Sequence, residues 1–275
     1  MSEGSVPAAV SAPRDGKTEP VGPLPLFRVM LDFDGTLVQP NVAILLVEEF
    51  ALDGKTVAHE IDQLLHTGRI GLREAWEREV ALLPVDRLSD MARFVRERVP
   101  LRSGALDFLR FARDRRLDVA ILSGGLDFFI REVLDREQIA LPVYSDQLVV
   151  PPSGAPRVAY PYGHPTCRQC GICKAALVLD HASAQRTVLI ADGSTDRYGA
   201  EVADIIFARH RLLQYCRTAA LPCLPFEDFA PVTEQFRRWL DGAEPIPPAR
   251  LRGLASSACP ISRGLSGTVD LPPVS

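Results

Sequence analysis

Four carboxylates, a serine and a lysine are the residues of this 275-residue chain with the types and spacing for chemistry. Asp32 and Asp34 stand two apart in DFDGT, followed by Gly35 and Thr36. Two carboxylates at a strand end can hold Mg²⁺, a hard cation that takes oxygen ligands and keeps positions open for substrate phosphate. A carboxylate can also attack phosphorus and become an aspartyl-phosphate. The same pair fits a plain turn in which Asp caps a helix. Ser123 heads a second polar stretch, SGG, which by itself often just starts a helix. DGSTD adds Asp192 and Asp196. Lys174 closes HPTCRQCGICK, and only two other lysines, Lys17 and Lys55, occur among 31 basic residues. Lysine is a compact point charge where arginine is a planar fork, so a lysine kept here points to a specific role.

The same stretch offers His164, Cys167, Cys170 and Cys173. An iron–sulfur run of this spacing continues with a fourth cysteine, and Leu177 stands there instead. A zinc ion needs four ligands, and His164 with the three cysteines would have to supply all of them from ten residues of one loop. The preferred reading is therefore a packed loop that frames Lys174, with zinc at those four residues as the alternative.

Elements must bring these groups together. FRVML, DVAIL and TVLIA are apolar runs that stop at Asp32, Ser123 and Asp192, as buried strands ending in polar loops do. DIIFAR is a fourth such run. Helical patterns lie between them, so the expected fold is α/β with a Rossmann-like parallel sheet. Ligands bind at the carboxyl ends of such strands, where one site can collect all three residues. Residues 41–104 carry apolar positions at helical spacing with no strand-like run, which predicts a helical cap inserted after the first strand. The core is expected at residues 26–40 and 105–241. PVYSDQLVVPPSGAPRVAYPYG predicts an antiparallel excursion.

Residues 1–25 and 242–275 are rich in Pro, Gly, Ser and Ala, and both are expected to be disordered tails. The formal net charge of −4 gives no footing for nucleic acid or an anionic membrane. No apolar run reaches the ~20 residues of a spanning helix, and the opening MSEGSVPAAVSAPRDGK lacks the apolar core of a secretion signal. A cytoplasmic protein is expected.

In all four motifs the chain resembles the haloacid dehalogenase superfamily of phosphohydrolases: DFDGT, Ser123 in LSGG, Lys174, and DGSTD. The insertion stands where the phosphoserine-phosphatase-like branch carries its type-1 cap. SGGLDFFIREVL, CGICKAALV and LPFEDFAPV are most similar to the 2-hydroxy-3-keto-5-methylthiopentenyl-1-phosphate phosphatases of methionine salvage. The resemblance implies Asp32 as nucleophile and Asp34 as acid and base. It implies Mg²⁺ on Asp32, Asp192 and the Asp34 backbone carbonyl, with Asp196 supporting the metal or orienting Lys174. It implies phosphate binding by Thr36, Ser123, Gly124 and Lys174. Ala191 departs from the Gly that many relatives have before the third aspartate. HTGRIGLREAW is the candidate closing segment, with Arg69 and Arg73 as possible anion contacts or plain solvated charges. Trp76 reads as cap core. The implied substrate is a small-molecule phosphate ester, with phosphoserine as an alternative. A dehalogenase would not need Asp34, a phosphonatase would need a cap lysine, and a non-catalytic regulatory module would not need the intact set.

Overall fold

A computed structural model describes residues 26–152, 155–167, 169–180, 185–250 and Cys259. Seven strands form one sheet in the order β4-β3-β2-β1-β5-β6-β7. They are β1 (Phe27–Leu31), β2 (Asp118–Leu126), β3 (Val143–Val149), β4 (Arg157–Ala159), β5 (Arg186–Ala191), β6 (Ile205–Ala208) and β7 (Leu224–Pro225). All pairings are parallel except β3 with β4, the expected antiparallel excursion. The turn predicted within that excursion, at residues 153–154, lies outside the described residues.

The apolar runs have a simple cause. Alternate residues of β1 enter opposite cores, with Phe27, Val29 and Leu31 on one face and Met30 on the other. A sheet covered on both faces needs strands that are apolar throughout. From β1 the chain first builds outward through β2, β3 and β4, then returns to the other side for β5, β6 and β7. The strand order thus reverses between β1 and β5, and a crevice opens at such a point beyond the strands' carboxyl ends.

Four helices follow β1: α1 (Val42–Phe50), α2 (Gly54–His66), α3 (Leu72–Leu82) and α4 (Leu88–Arg98). Asn41 caps α1 by accepting from the Ile44 N–H at 3.2 Å, which supplies one of the partners that a helix start lacks. Trp76, Met91 and Val95 face inward at helical spacing and join the main core. The two connecting segments run antiparallel through a bridge between Val38 and Leu101. Gln39 N–H donates to the Pro100 carbonyl at 3.1 Å, and Arg102 N–H to Leu37 at 2.8 Å.

The remaining helices pack on the sheet: α5 (Ala105–Asp114), α6 (Asp127–Arg136), α7 (Lys174–Asp180), α8 (Arg197–Val202), α9 (His210–Thr218) and α10 (Phe229–Leu240). The boundary expected at residue 241 is too early. Ile246 packs on the main core, and Arg250 donates to the carbonyls of Ala200 and Ala203 at 3.0 and 3.1 Å. Cys259 is buried as well. The expected tail at 1–25 and the rest of 251–275 lie outside the described residues.

Candidate active site

Register places the carboxylates. Leu31 pairs with Ile190, and the Asp32 N–H donates to the Ile190 carbonyl at 3.0 Å. Asp32 and Asp192 therefore leave neighbouring strands side by side at the point where strand order reverses. Among the described residues, Asp32, Asp192 and Asp196 form a group whose ligand oxygens all lie within 4.8 Å of one another.

Lys174 is buried at the start of α7 and reaches into this group. Its Nζ donates to Asp32 Oδ1 at 2.6 Å and to Asp196 Oδ1. Asp196 is held in turn by the Gly193 N–H at 2.8 Å. Arg209 adds a more distant charge, 3.8 Å from Asp192. Burial and the neighbouring carboxylates hold Asp32 well above the usual carboxylate range and push Asp192 up to about 6. Three oxygen-donor acids facing this little positive charge suit a hard divalent cation, which adds the missing charge.

Asp34 projects from the loop after Asp32 and accepts from the Val42 N–H, the first residue of α1, at 2.7 Å. Burial pushes its carboxyl up to about 7. Two glycines make room here. Gly35 has φ +73°, and a Cβ on it would lie 2.5 Å from Asp192 Oδ2. A Cβ on Gly125 would lie 2.6 Å from Asp34 Oδ2. The Gly35 carbonyl accepts from Arg209 at 2.7 Å and from Arg102, and the Thr36 carbonyl accepts from Arg102 at 2.7 Å. These contacts clamp the loop from outside.

A cavity of about 300 Å³ opens over the carboxylates, within the range of small-molecule sites. Asp32, Asp34, Ser123, Gly124, Asp192 and Asp196 line its floor. Ser123 is buried, and its Oγ accepts from the Gly125 N–H at 2.9 Å. The inserted helices form the roof through Ile44, Leu65, Leu72, Ala75, Trp76 and Glu79. Trp76 Nε1 donates to the Gly124 carbonyl at 2.7 Å, joining roof to floor. His66 makes a second join, 2.8 Å from Ser194 Oγ, while its Nε2 lies 2.7 Å from Asp62. Burial, with Asp34 and Asp62 nearby, pushes Glu79 up to about 8.

Three expected contacts lie elsewhere. Thr36 is buried behind the floor, where its hydroxyl donates to Asp32 at 2.9 Å and lies 3.3 Å from Asp192. It positions carboxylates and does not line the cavity. Arg69 and Arg73 do not line it either. Arg73 turns to the cysteine loop, donating to the carbonyls of Cys170 and His164 at 2.8 and 3.2 Å. Sequence reasoning missed His66, Glu79, Arg102 and Arg209. His66 opens the candidate closing segment but was not singled out within it, and each of the four matters only through contacts made across the fold.

Beneath the cysteine loop, Asp146 of β3 is fully buried against Gly171, and neither carboxylate oxygen has a well-formed hydrogen bond. Burial pushes it up to about 8, although the Arg73 and Lys174 charges and the Ile172 N–H pull the other way.

A sequence model described as haloacid dehalogenase-like hydrolase matches residues 29–201. A Bacillus mycoides protein named 2-hydroxy-3-keto-5-methylthiopentenyl-1-phosphate phosphatase is 28% identical over 225 residues, covering 78% of this chain and 97% of its own. An Exiguobacterium sibiricum protein of the same name is 29% identical over 221 residues, covering 76% and 96%. A solved phosphoserine phosphatase, titled as a phospho-aspartyl intermediate analogue, shares the fold at a TM-score of 0.58 and 17% identity. It covers 75% of this chain and 97% of that one. Among the described residues, no helix is long and apolar enough to cross a membrane.

Proposed function

This chain belongs to the haloacid dehalogenase-like hydrolases, and from that premise we propose that it is a Mg²⁺-dependent phosphatase acting on a small phosphate monoester through an aspartyl-phosphate on Asp32. The observation that carries this reading is the buried chain Asp32–Lys174–Asp196, with Asp192 beside it and Asp34 on the same cavity.

In the first step an Asp32 oxygen attacks phosphorus, and the bond from phosphorus to the leaving oxygen breaks. Asp34 gives its proton to that oxygen. In the second step Asp34, now a carboxylate, takes a proton from water. The water oxygen attacks phosphorus and the bond to Asp32 breaks, which restores both side chains. A carboxyl near 7 suits a group that is acid in one step and base in the next. Ser123 and the Gly124 N–H bind phosphate oxygens, and Lys174 offsets charge on them and on Asp32. Asp32, Asp192 and the Asp34 carbonyl would hold Mg²⁺, with Asp196 beside them. When bound, the ion supplies positive charge against the phosphate oxygens.

Residues 41–104 serve as the cap that shuts water out, over a core that begins at residues 26–40, resumes at residue 105 and runs past residue 241. The apolar roof of Ile44, Leu65, Leu72 and Trp76 suits an uncharged leaving group. 2-Hydroxy-3-keto-5-methylthiopentenyl-1-phosphate, named in the relatives, ends in such a methylthio tail. Phosphoserine is the second reading, because Asp62 and Arg211 also line the cavity. They face each other at 3.5 Å, however, which leaves less charge for an amino acid.

Phosphate release from a panel holding both esters and p-nitrophenyl phosphate tests this. Turnover is expected with Mg²⁺, is lost in EDTA, and falls about 10⁴-fold or more in Asp32→Asn. A wild-type protein that turned over none of the esters would overturn the proposal.

A further inference from the structure

The fourth ligand that the cysteine loop lacks in sequence arrives from the far end of the chain. His164, Cys167, Cys170, Cys173 and Cys259 line one small cavity behind Lys174. Cys259 and Cys173 are buried, and Cys259 lies within electrostatic reach of Cys170 and Cys173. Spacing within the loop alone argued against a metal, because four ligands had to come from ten residues. Two distant segments now supply them, as structural zinc sites require.

The loop turns backbone N–H groups onto its sulfurs. The Cys167 sulfur accepts N–H from Gln169 and Cys170, and the Cys173 sulfur accepts from Ala175 and Ala176. Both sulfurs thus take donors from the residues two and three further on. Cys170 also hydrogen-bonds the Cys167 sulfur, the kind of close pair that neighbouring ligands of one tetrahedral ion make. His164 is a poor fourth ligand. Its Nδ1 is engaged by the Thr166 N–H at 3.3 Å and hydroxyl at 3.1 Å, while its carbonyl is held by Arg73.

We propose that Cys167, Cys170, Cys173 and Cys259 hold one zinc ion, which staples the loop before α7 to the C-terminal segment and fixes Lys174 from behind. Among the described residues, no three of these sulfurs lie within 4.8 Å of one another. Binding therefore draws them inward and sends the thiol protons to solvent.

Metal analysis of the full-length protein, expressed with zinc and purified without chelator, tests the assignment. About one zinc per chain is expected, retained in Cys223→Ser and in Asp32→Asn, which separates this site from the carboxylates. In Cys259→Ser and Cys170→Ser it should fall below about a tenth, with circular dichroism unchanged. If those variants fail to fold, cobalt loaded into the wild type must show the intense near-ultraviolet thiolate-to-cobalt band of a four-sulfur site. Wild-type protein that holds no zinc and gives no such band would overturn the proposal. Zinc retained by a folded Cys259→Ser, or iron with acid-labile sulfide in its place, would overturn it too.

Discussion

Asp34 is the residue whose chemistry can be isolated. A nitrophenolate leaves without help, whereas an alkoxide needs a proton as its bond to phosphorus breaks. Asp34→Asn should therefore lower kcat/KM for an alkyl phosphate by roughly 10²–10⁴-fold and for p-nitrophenyl phosphate by clearly less. Equal losses on the two esters in kcat/KM, which stops at the first bond cleavage, would exclude the proton-donor role. Asp146 makes a different kind of prediction, about stability. Its folded carboxyl titrates at about 8, against ~3.9 in the unfolded chain. The folded state thus holds this proton more tightly. Its contribution to stability is complete below about pH 4, declines from there to about pH 8, and is level above that. Asp146→Asn removes the decline. Its unfolding free energy relative to wild type should rise between pH 5 and pH 8.5, by an amount on the order of a few kcal/mol. Parallel stability curves would refute the assignment. A buried acid without well-formed hydrogen bonds is invisible in sequence, because YSDQLV reads as an ordinary alternating strand.

At the scale of elements, the roof and floor of the cavity are joined by the two end residues of the candidate closing segment, His66 and Trp76. His66, the last residue of α2, reaches Ser194 in the loop after β5. If α1–α4 close over substrate, removing this contact should cost closure more than chemistry. His66→Ala is expected to raise KM several-fold with a smaller change in kcat, because the floor stays intact. A large fall in kcat at unchanged KM would place His66 in the chemistry instead. The strands of the floor were legible because β1 and β5 are covered on both faces, so their apolar runs stop sharply at Asp32 and Asp192. The inserted helices were legible from their 3.6-residue period. The direction of Arg73 was not. An arginine on a helix reads the same whether it meets water, phosphate or, as here, two carbonyls and the Tyr160 ring at 4.5 Å. Thr36 was misread for a related reason: its place in DFDGT gives no sign that its hydroxyl turns back to the carboxylates.

On the whole-molecule scale, composition misjudged where packing ends. The proline-rich run after Leu240 looks unable to order itself, yet Ile246 and Arg250 are fixed by surfaces built earlier in the chain. A chain ending at residue 241 should lose several degrees of Tm, and Arg250→Ala a smaller part of that. An unchanged Tm in the truncated chain would restore the earlier boundary. The paired strands at the neck of the insertion have a consequence for how such proteins diversify. Val38 and Leu101 sit side by side, so the chain leaves the sheet and returns at nearly one point. Loop-closure cost grows only slowly with the length of what lies between. The core should therefore tolerate inserts of other sequences and sizes at this junction without losing its register. Catalytic machinery and substrate choice become separately inheritable modules, and a graft cut at this rung should exchange one while keeping the other.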